Sequence, residues 1–192
     1  MVSGKHPYVL GAALGQGGFG ITYIGLDLAL DIKVAIKEYL PSEFSTRVPG
    51  ATVVTIFEGE KREQFSSGLK KFVEEARHLA KFQSEDGIVK VFDSFEENDT
   101  AYIVMEYLSG ETLKDYLARE KVIEENKAVE MLMPVMQSLK AVHSEGLLHR
   151  DIAPDNIFIT DSGEVKLIDF GASRYATTSS AILSQTASIS LR

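Results

Sequence analysis

Gly15-Gln16-Gly17-Gly18-Phe19-Gly20-Ile21-Thr22-Tyr23-Ile24 decides how the chain begins. Glycines in the G-x-G-x-x-G spacing let a backbone approach phosphate closely, and that spacing opens both dinucleotide sites and phosphate-covering flaps. A dinucleotide site continues into a helix, whereas the β-branched and aromatic residues here favour a strand. The stretch therefore reads as strand, glycine turn, strand, with a ligand-free glycine hairpin as the plainer alternative. Outward from it, Tyr8-Val9-Leu10 leads into the loop, and Val34-Ala35-Ile36-Lys37 makes a third strand after a break at Leu30-Asp31.

Lys37 ends a strand that otherwise buries its side chains, so its ammonium needs a partner or a phosphate. Leu69, Phe72, Val73, Ala76, Leu79 and Ala80 recur at three and four residues, which predicts a helix over 69–82 with Glu75 on its flank as the candidate partner. Residues 41–68, with turn formers Pro41, Pro49, Gly50, Gly59 and Gly68 around the apolar run 53–57, are expected to be an insertion carrying a small strand. Strands over 88–92 and 101–106, parted by a polar turn at 96–99, complete a five-stranded antiparallel first half with one long helix.

The second half reads as mainly helical. Leu113, Tyr116 and Leu117 suggest a short helix, and Val129, Leu132, Met133, Met136, Leu139 and Val142 draw a long stripe toward Gly146. Pro134 removes a backbone donor from that helix, but the stripe continues in phase across it, so a bend is expected rather than a break. Two short strands, 157–159 and 165–168, follow around the turn Asp161-Ser162-Gly163. Asp151, Asn156 and Asp169 form a second polar cluster. A hard divalent ion takes carboxylate and amide oxygens, which suits Asp169 and Asn156, and leaves Asp151 to orient and deprotonate an attacking hydroxyl. His149 reads as structural support behind that loop.

Composition narrows the partners. With 20 Lys and Arg against 28 Asp and Glu, a formal net charge of -8 and dispersed basic residues, nothing suggests a nucleic-acid footprint. No apolar run reaches the roughly 20 residues that cross a bilayer, and residues 1–7 lack a signal-peptide core, so no membrane segment and a cytosolic place are expected. With 0 cysteines and 4 scattered histidines, thiolate chemistry and a histidine metal cluster are excluded. A cofactor must be held by oxygens and backbone.

Taken in order, the glycine loop, Val34-Ala35-Ile36-Lys37, His149-Arg150-Asp151-Ile152-Ala153-Pro154-Asp155-Asn156 and Asp169-Phe170-Gly171 resemble the eukaryotic-type protein kinase family, and in detail its bacterial serine/threonine members. The resemblance runs from about Tyr8 to about Arg174. It implies an α+β, protein-kinase-like fold with residues 1–108 as a five-stranded N-lobe and hinge, and 109–192 as a reduced C-lobe. It further implies that Gly15, Gly17 and Gly20 cover ATP phosphates, that Lys37 holds the α and β phosphates, and that Glu75 orients Lys37. Thr22, Ala35 and Phe158 would enclose adenine, Met105 would guard the back of its pocket, and the backbone of Glu106 to Leu108 would receive its edge. Asp151 would be the catalytic base, with Asn156 and Asp169 ligating Mg2+. His149, Phe170, Leu79 and Val91 resemble the apolar column joining the two lobes. The implied activity is transfer of the γ-phosphoryl group of ATP to serine or threonine hydroxyls of protein.

Three departures qualify that implication. Thr22 stands where the family usually has valine, and still offers a methyl to adenine. Ala153 stands where protein-serine kinases carry a lysine, which removes one phosphate contact whose value rises in the transition state. After Gly171 only 21 residues follow, without an A-P-E motif. Two other readings therefore stand beside a kinase: a nucleotide-binding interaction module, and a fragment of a longer kinase. An apolar C-lobe underside is expected, covered by a short helix over 181–191 or by a second copy. The hydroxyl-rich stretch 173–190 leaves two readings open, a phosphoacceptor and a polar terminus that merely happens to be hydroxyl-rich.

Overall fold

The computed structural model describes residues 1–170 and the short strand Arg174–Tyr175. The first half is an antiparallel sheet built from β1 (Val2–Ser3), β2 (Pro7–Gly17), β3 (Gly20–Asp27) and β4 (Ile32–Tyr39), joined after an excursion by β7 (Val91–Glu97) and β8 (Thr100–Glu106). Its order is β1-β2-β3-β4-β8-β7. The sheet thus has six strands rather than five. The sixth, β1, is two residues long and pairs Val2 with Tyr8, too short to leave a periodic signal.

Turn chemistry fixes the hairpins. Asp27 Oδ1 accepts the Ala29 and Leu30 N–H groups at 2.9 and 3.1 Å, closing the β3–β4 turn in the way aspartate side chains do. Asn98 and Asp99 both have φ of 57°, the left-handed pair that matches strand twist in a two-residue hairpin. The β7–β8 turn is therefore tighter than the polar run 96–99 suggested. Strand β7 also starts at Val91 rather than Ile88. The Val89 N–H donates to the Leu167 carbonyl at 3.0 Å and the Leu167 N–H to the Gly87 carbonyl at 2.9 Å, so the stretch before it is committed elsewhere.

The excursion holds β5 (Ser45–Thr46), paired with β6 (Thr55–Ile56), and then α1 (Glu60–Leu79), which continues as a tight turn over Ala80–Phe82. The helix begins nine residues before its expected start. Glu60 and Glu63 sit in its first turn, where carboxylates favour the positive end of the helix dipole, and Phe65 extends the buried stripe. Gly68 is inside the helix, not a turn. A methyl there would overlap the Tyr39 hydroxyl, so glycine lets helix and sheet approach closely.

The second half contains β9 (Gly110–Thr112), α2 (Leu113–Glu120), α3 (Glu125–Ser144), β10 (Leu147–Leu148), β11 (Ile157–Thr160), β12 (Val165–Leu167) and β13 (Arg174–Tyr175). Thr112 caps α2 by accepting the Asp115 N–H at 3.1 Å. Helix α3 runs through Pro134, as the stripe predicted. Strands β12, β11 and β9 form one small sheet, and β10 pairs with β13, so this half carries more strand than expected.

One continuous core joins the halves: Phe65, Phe72 and Leu79 of α1 pack with Ile103 and Met105 of β8, and onward with Val142, Leu147, Leu167 and Phe170. A second cluster, including Tyr8, Val34, Ile36, Tyr102 and Val104, covers the sheet's outer face. Helix α3 leaves Val129, Met133 and Met136 exposed. Among the described residues no helix is long and apolar enough to cross a membrane. The expected helix over 181–191 lies outside the described residues, as do the serines and threonines of 173–190.

Candidate active site

Strand register builds the roof of a cleft. Thr22 pairs with Lys37 and Ile24 with Ala35, and alternation along a strand puts Thr22, Ala35 and Lys37 on one face. They line a cavity of about 330 Å³ together with Gly15, the connecting segment Met105, Glu106 and Leu108, and a floor of Asn156, Phe158 and Asp169. Tyr107, inside the segment 106–108 expected to receive adenine, lines it too, as do Leu14, Val89, Thr112 and Ile168; of these four, which the sequence does not single out, only Leu14 is the chain neighbour of a named glycine.

Four named residues stand back from the cavity wall. Gly17 pairs with Gly20 at the turn of the glycine hairpin. Gly20 has φ of +152°, and a methyl there would overlap the Glu38 carbonyl oxygen, so the fit of the backbone itself requires glycine. Glu75 lies behind Lys37. Asp151 lies below, where the Asn156 side-chain amide donates to its Oδ2 at 3.0 Å and to its backbone carbonyl at 2.9 Å.

Lys37 is the electrostatic centre. Its Nζ donates to Glu75 Oε1 and to Asp169 Oδ1, each at 3.1 Å. Burial disfavours its charge, but the two carboxylates outweigh that and hold the ammonium above the usual lysine range. Burial pushes the Glu75 carboxyl up, with Lys37 pulling against it. Asp169 is the most open of the three, its side chain 37% exposed. Asn156, which spends its amide hydrogens on Asp151, keeps its Oδ1 as the atom able to ligate a cation. Asp169 and Asn156 thus offer hard oxygen donors in one cleft. They fit magnesium, which binds through one or two protein oxygens and takes the rest from phosphates and water.

His149 supports the loop that carries Asp151. It is 1% exposed, its ring meets that of Phe170 edge-on at 4.5 Å, and its Nδ1 accepts the Asp151 N–H at 3.2 Å. Burial pushes the imidazole below its ordinary pKa, against the backbone and charge of Asp169, which keeps Nδ1 available as an acceptor. Leu79, Val91 and Phe170 are buried in the same core that spans both halves.

One pair escaped sequence reasoning. Lys166, 5% exposed on β12, donates to both carboxylate oxygens of Glu106 at 2.8 and 3.0 Å, and Glu106 Oε1 also accepts the Lys90 N–H at 2.8 Å. The segment joining the halves is therefore tied by a side chain, not by backbone alone. No spacing rule links positions 60 apart, so no sequence signal could have found it.

A family model described as "Protein kinase domain" matches residues 8–190. Serine/threonine-protein kinase PknL of Mycobacterium tuberculosis is 35% identical over 167 residues, which cover 87% of this chain and 37% of that protein. Serine/threonine-protein kinase PrkC of Bacillus subtilis is 29% identical over 170 residues, covering 88% of this chain and 23% of its own length. A solved structure, the apo form of PpkA-294, shares 39% identity and superposes with a TM-score of 0.79, covering 85% of this chain and 58% of that one. The chain spans less than two thirds of each of these relatives.

Proposed function

Because the chain belongs to the protein kinase family, we propose that it transfers the γ-phosphoryl group of ATP to serine or threonine hydroxyls of protein. The observation that carries this reading is Lys37, held at 3.1 Å by both Glu75 and Asp169 in a cleft shared by the glycine hairpin and Asn156.

Each residue then has a task its position supports. Lys37, fixed by Glu75, compensates charge on the α and β phosphates, while Gly15 and Gly17 let the hairpin backbone lie over them. Thr22, Ala35 and Phe158 flank the adenine, with Met105 behind it. Asp169 and Asn156 would hold magnesium, which would supply charge compensation for the phosphates when bound. The acceptor oxygen attacks the γ phosphorus, the bond to the β–γ bridging oxygen breaks, the hydroxyl proton passes to Asp151, and ADP leaves. Ala153 supplies no cation to the moving phosphoryl, so the chemical step is slowed more than nucleotide binding. Incubation with γ-labelled ATP, magnesium and a basic test protein checks the reading. Label on serine or threonine that disappears with a magnesium chelator supports it, and no transfer to any protein sinks it.

Ala153 also favours a second reading, a nucleotide-binding module whose bound ATP orders the cleft for a partner. Magnesium-dependent ATP binding in a calorimetric titration, without any transfer, would select it.

A further inference from the structure

The insertion between β4 and α1 has no task in the mechanism, yet it reaches the strand that carries Lys37. Arg47 donates through Nη1 to Glu38 Oε2 at 3.0 Å and through Nη2 to Glu38 Oε1. Glu38 is 1% exposed. It follows Lys37 in β4, so alternation turns it to the sheet's outer face, directly behind the cleft.

Glu38 also holds the glycine hairpin. It lies opposite Ile21 in the β3–β4 register, and Tyr23 Oη donates to Glu38 Oε2 at 3.0 Å across the diagonal. Nearby backbone adds to the hold: the Leu40 N–H donates to the Phe19 carbonyl at 3.1 Å, and Gly20 packs against the Glu38 carbonyl. The insertion is itself anchored. Val54 is 3% exposed, and its N–H donates to the Asn98 carbonyl of the β7–β8 turn at 2.9 Å. A continuous set of contacts therefore runs from that turn, through the insertion and Arg47, to the returning strand of the hairpin. A groove of about 360 Å³ lies between the insertion and Gln16, Ile21 and Tyr23, and Arg47 stands on its wall.

We propose that Arg47 is a positioning residue: through Glu38 and Tyr23 it sets the glycine hairpin over the cleft, so nucleotide affinity depends on a side chain that never touches nucleotide. The affinity arm rests on the kinase reading; the ordering of the hairpin does not. A buried carboxylate stripped of its cation destabilises any fold, so the test must separate positioning from stability. Arg47→Met and the double variant Glu38→Gln/Arg47→Met of the whole chain serve this. The double variant removes the stranded charge without restoring the two-pronged guanidinium contact that lysine or methionine cannot reproduce.

Hydrogen exchange of peptides spanning 16–23 and 100–106 is measured beside thermal unfolding and calorimetric titration with magnesium and ATP. In Arg47→Met the hairpin amides exchange about 10-fold faster while those of β8 keep their protection, and the ATP dissociation constant rises by about the same factor. The double variant recovers thermal stability but neither hairpin protection nor affinity. Hairpin exchange equal to wild type, or its full recovery together with stability in the double variant, overturns the proposal. If wild type binds no ATP, the kinase reading fails, and the exchange of the hairpin still decides the role of Arg47.

Discussion

Lys37 and Glu75 lie 38 positions apart in the chain and meet at 3.1 Å, with the Glu75 side chain 6% exposed. Asp169 reaches the same ammonium at 3.1 Å from the other half of the molecule. The two contacts are not equivalent. Removing Glu75 leaves Lys37 with Asp169, whereas removing Lys37 leaves a buried carboxylate beside a second one.

This asymmetry predicts an order of stability. Lys37→Met destabilises by about 3–5 kcal/mol, the range for breaking a buried pair from one side, and Glu75→Gln by clearly less. Transfer falls by about 10²–10³-fold in Lys37→Met, as when an oriented charge-stabilising donor is lost. Thermal unfolding and steady-state rates check both, and a Glu75→Gln variant less stable than Lys37→Met would refute the account.

The three named glycines separate by function. Gly20→Ala forces a Cβ into the Glu38 carbonyl at a φ of +152°, so it lowers stability by about 1–3 kcal/mol, the scale of local backbone strain. Around Gly15 and Gly17 a Cβ meets nothing within 4 Å. Gly15→Ala and Gly17→Ala therefore keep the melting temperature of wild type and weaken ATP binding only. Paired melting curves and nucleotide titrations decide this, and a loss of stability in Gly15→Ala equal to that in Gly20→Ala would contradict it.

How much of this the sequence carried depends on distance along the chain. Strand β4, the glycine hairpin and the α3 stripe were readable because period-2 and period-3.6 patterns are local. Glu75 was readable as a candidate, but its burial was not, since neighbouring Glu74 is chemically alike and exposed. The ties between Arg47 and Glu38, and between Lys166 and Glu106, are invisible locally because each joins elements that only the fold brings together. Gly68 misled for a physical reason: glycine signals a turn by its backbone freedom, but here its missing side chain serves the contact with Tyr39.

Alkaline titration tests the packing of the first half. Burial is the main cause that pushes the phenols of Tyr8, Tyr39 and Tyr102 up to about 12, with Asp93 adding to it at Tyr8. The native state thus keeps protons that the unfolded chain releases near pH 10. Stability from these groups is fully present below about pH 10 and falls as pH rises toward 12. Absorbance of tyrosinate should show these phenols ionising late, and Tyr39→Phe should remove one late-titrating group. All 7 tyrosines ionising near pH 10 in the folded protein would contradict this.

The most direct test of the central claim measures binding and transfer on the same sample, for wild type and Asp151→Asn. Wild type binds ATP with magnesium and labels serine or threonine. Asp151→Asn, which changes a residue below the cleft wall, binds ATP with an unchanged dissociation constant while transfer drops by about 10²–10⁴-fold, the usual contribution of a general base. Equal transfer by both proteins, or no ATP binding by wild type, would contradict the account.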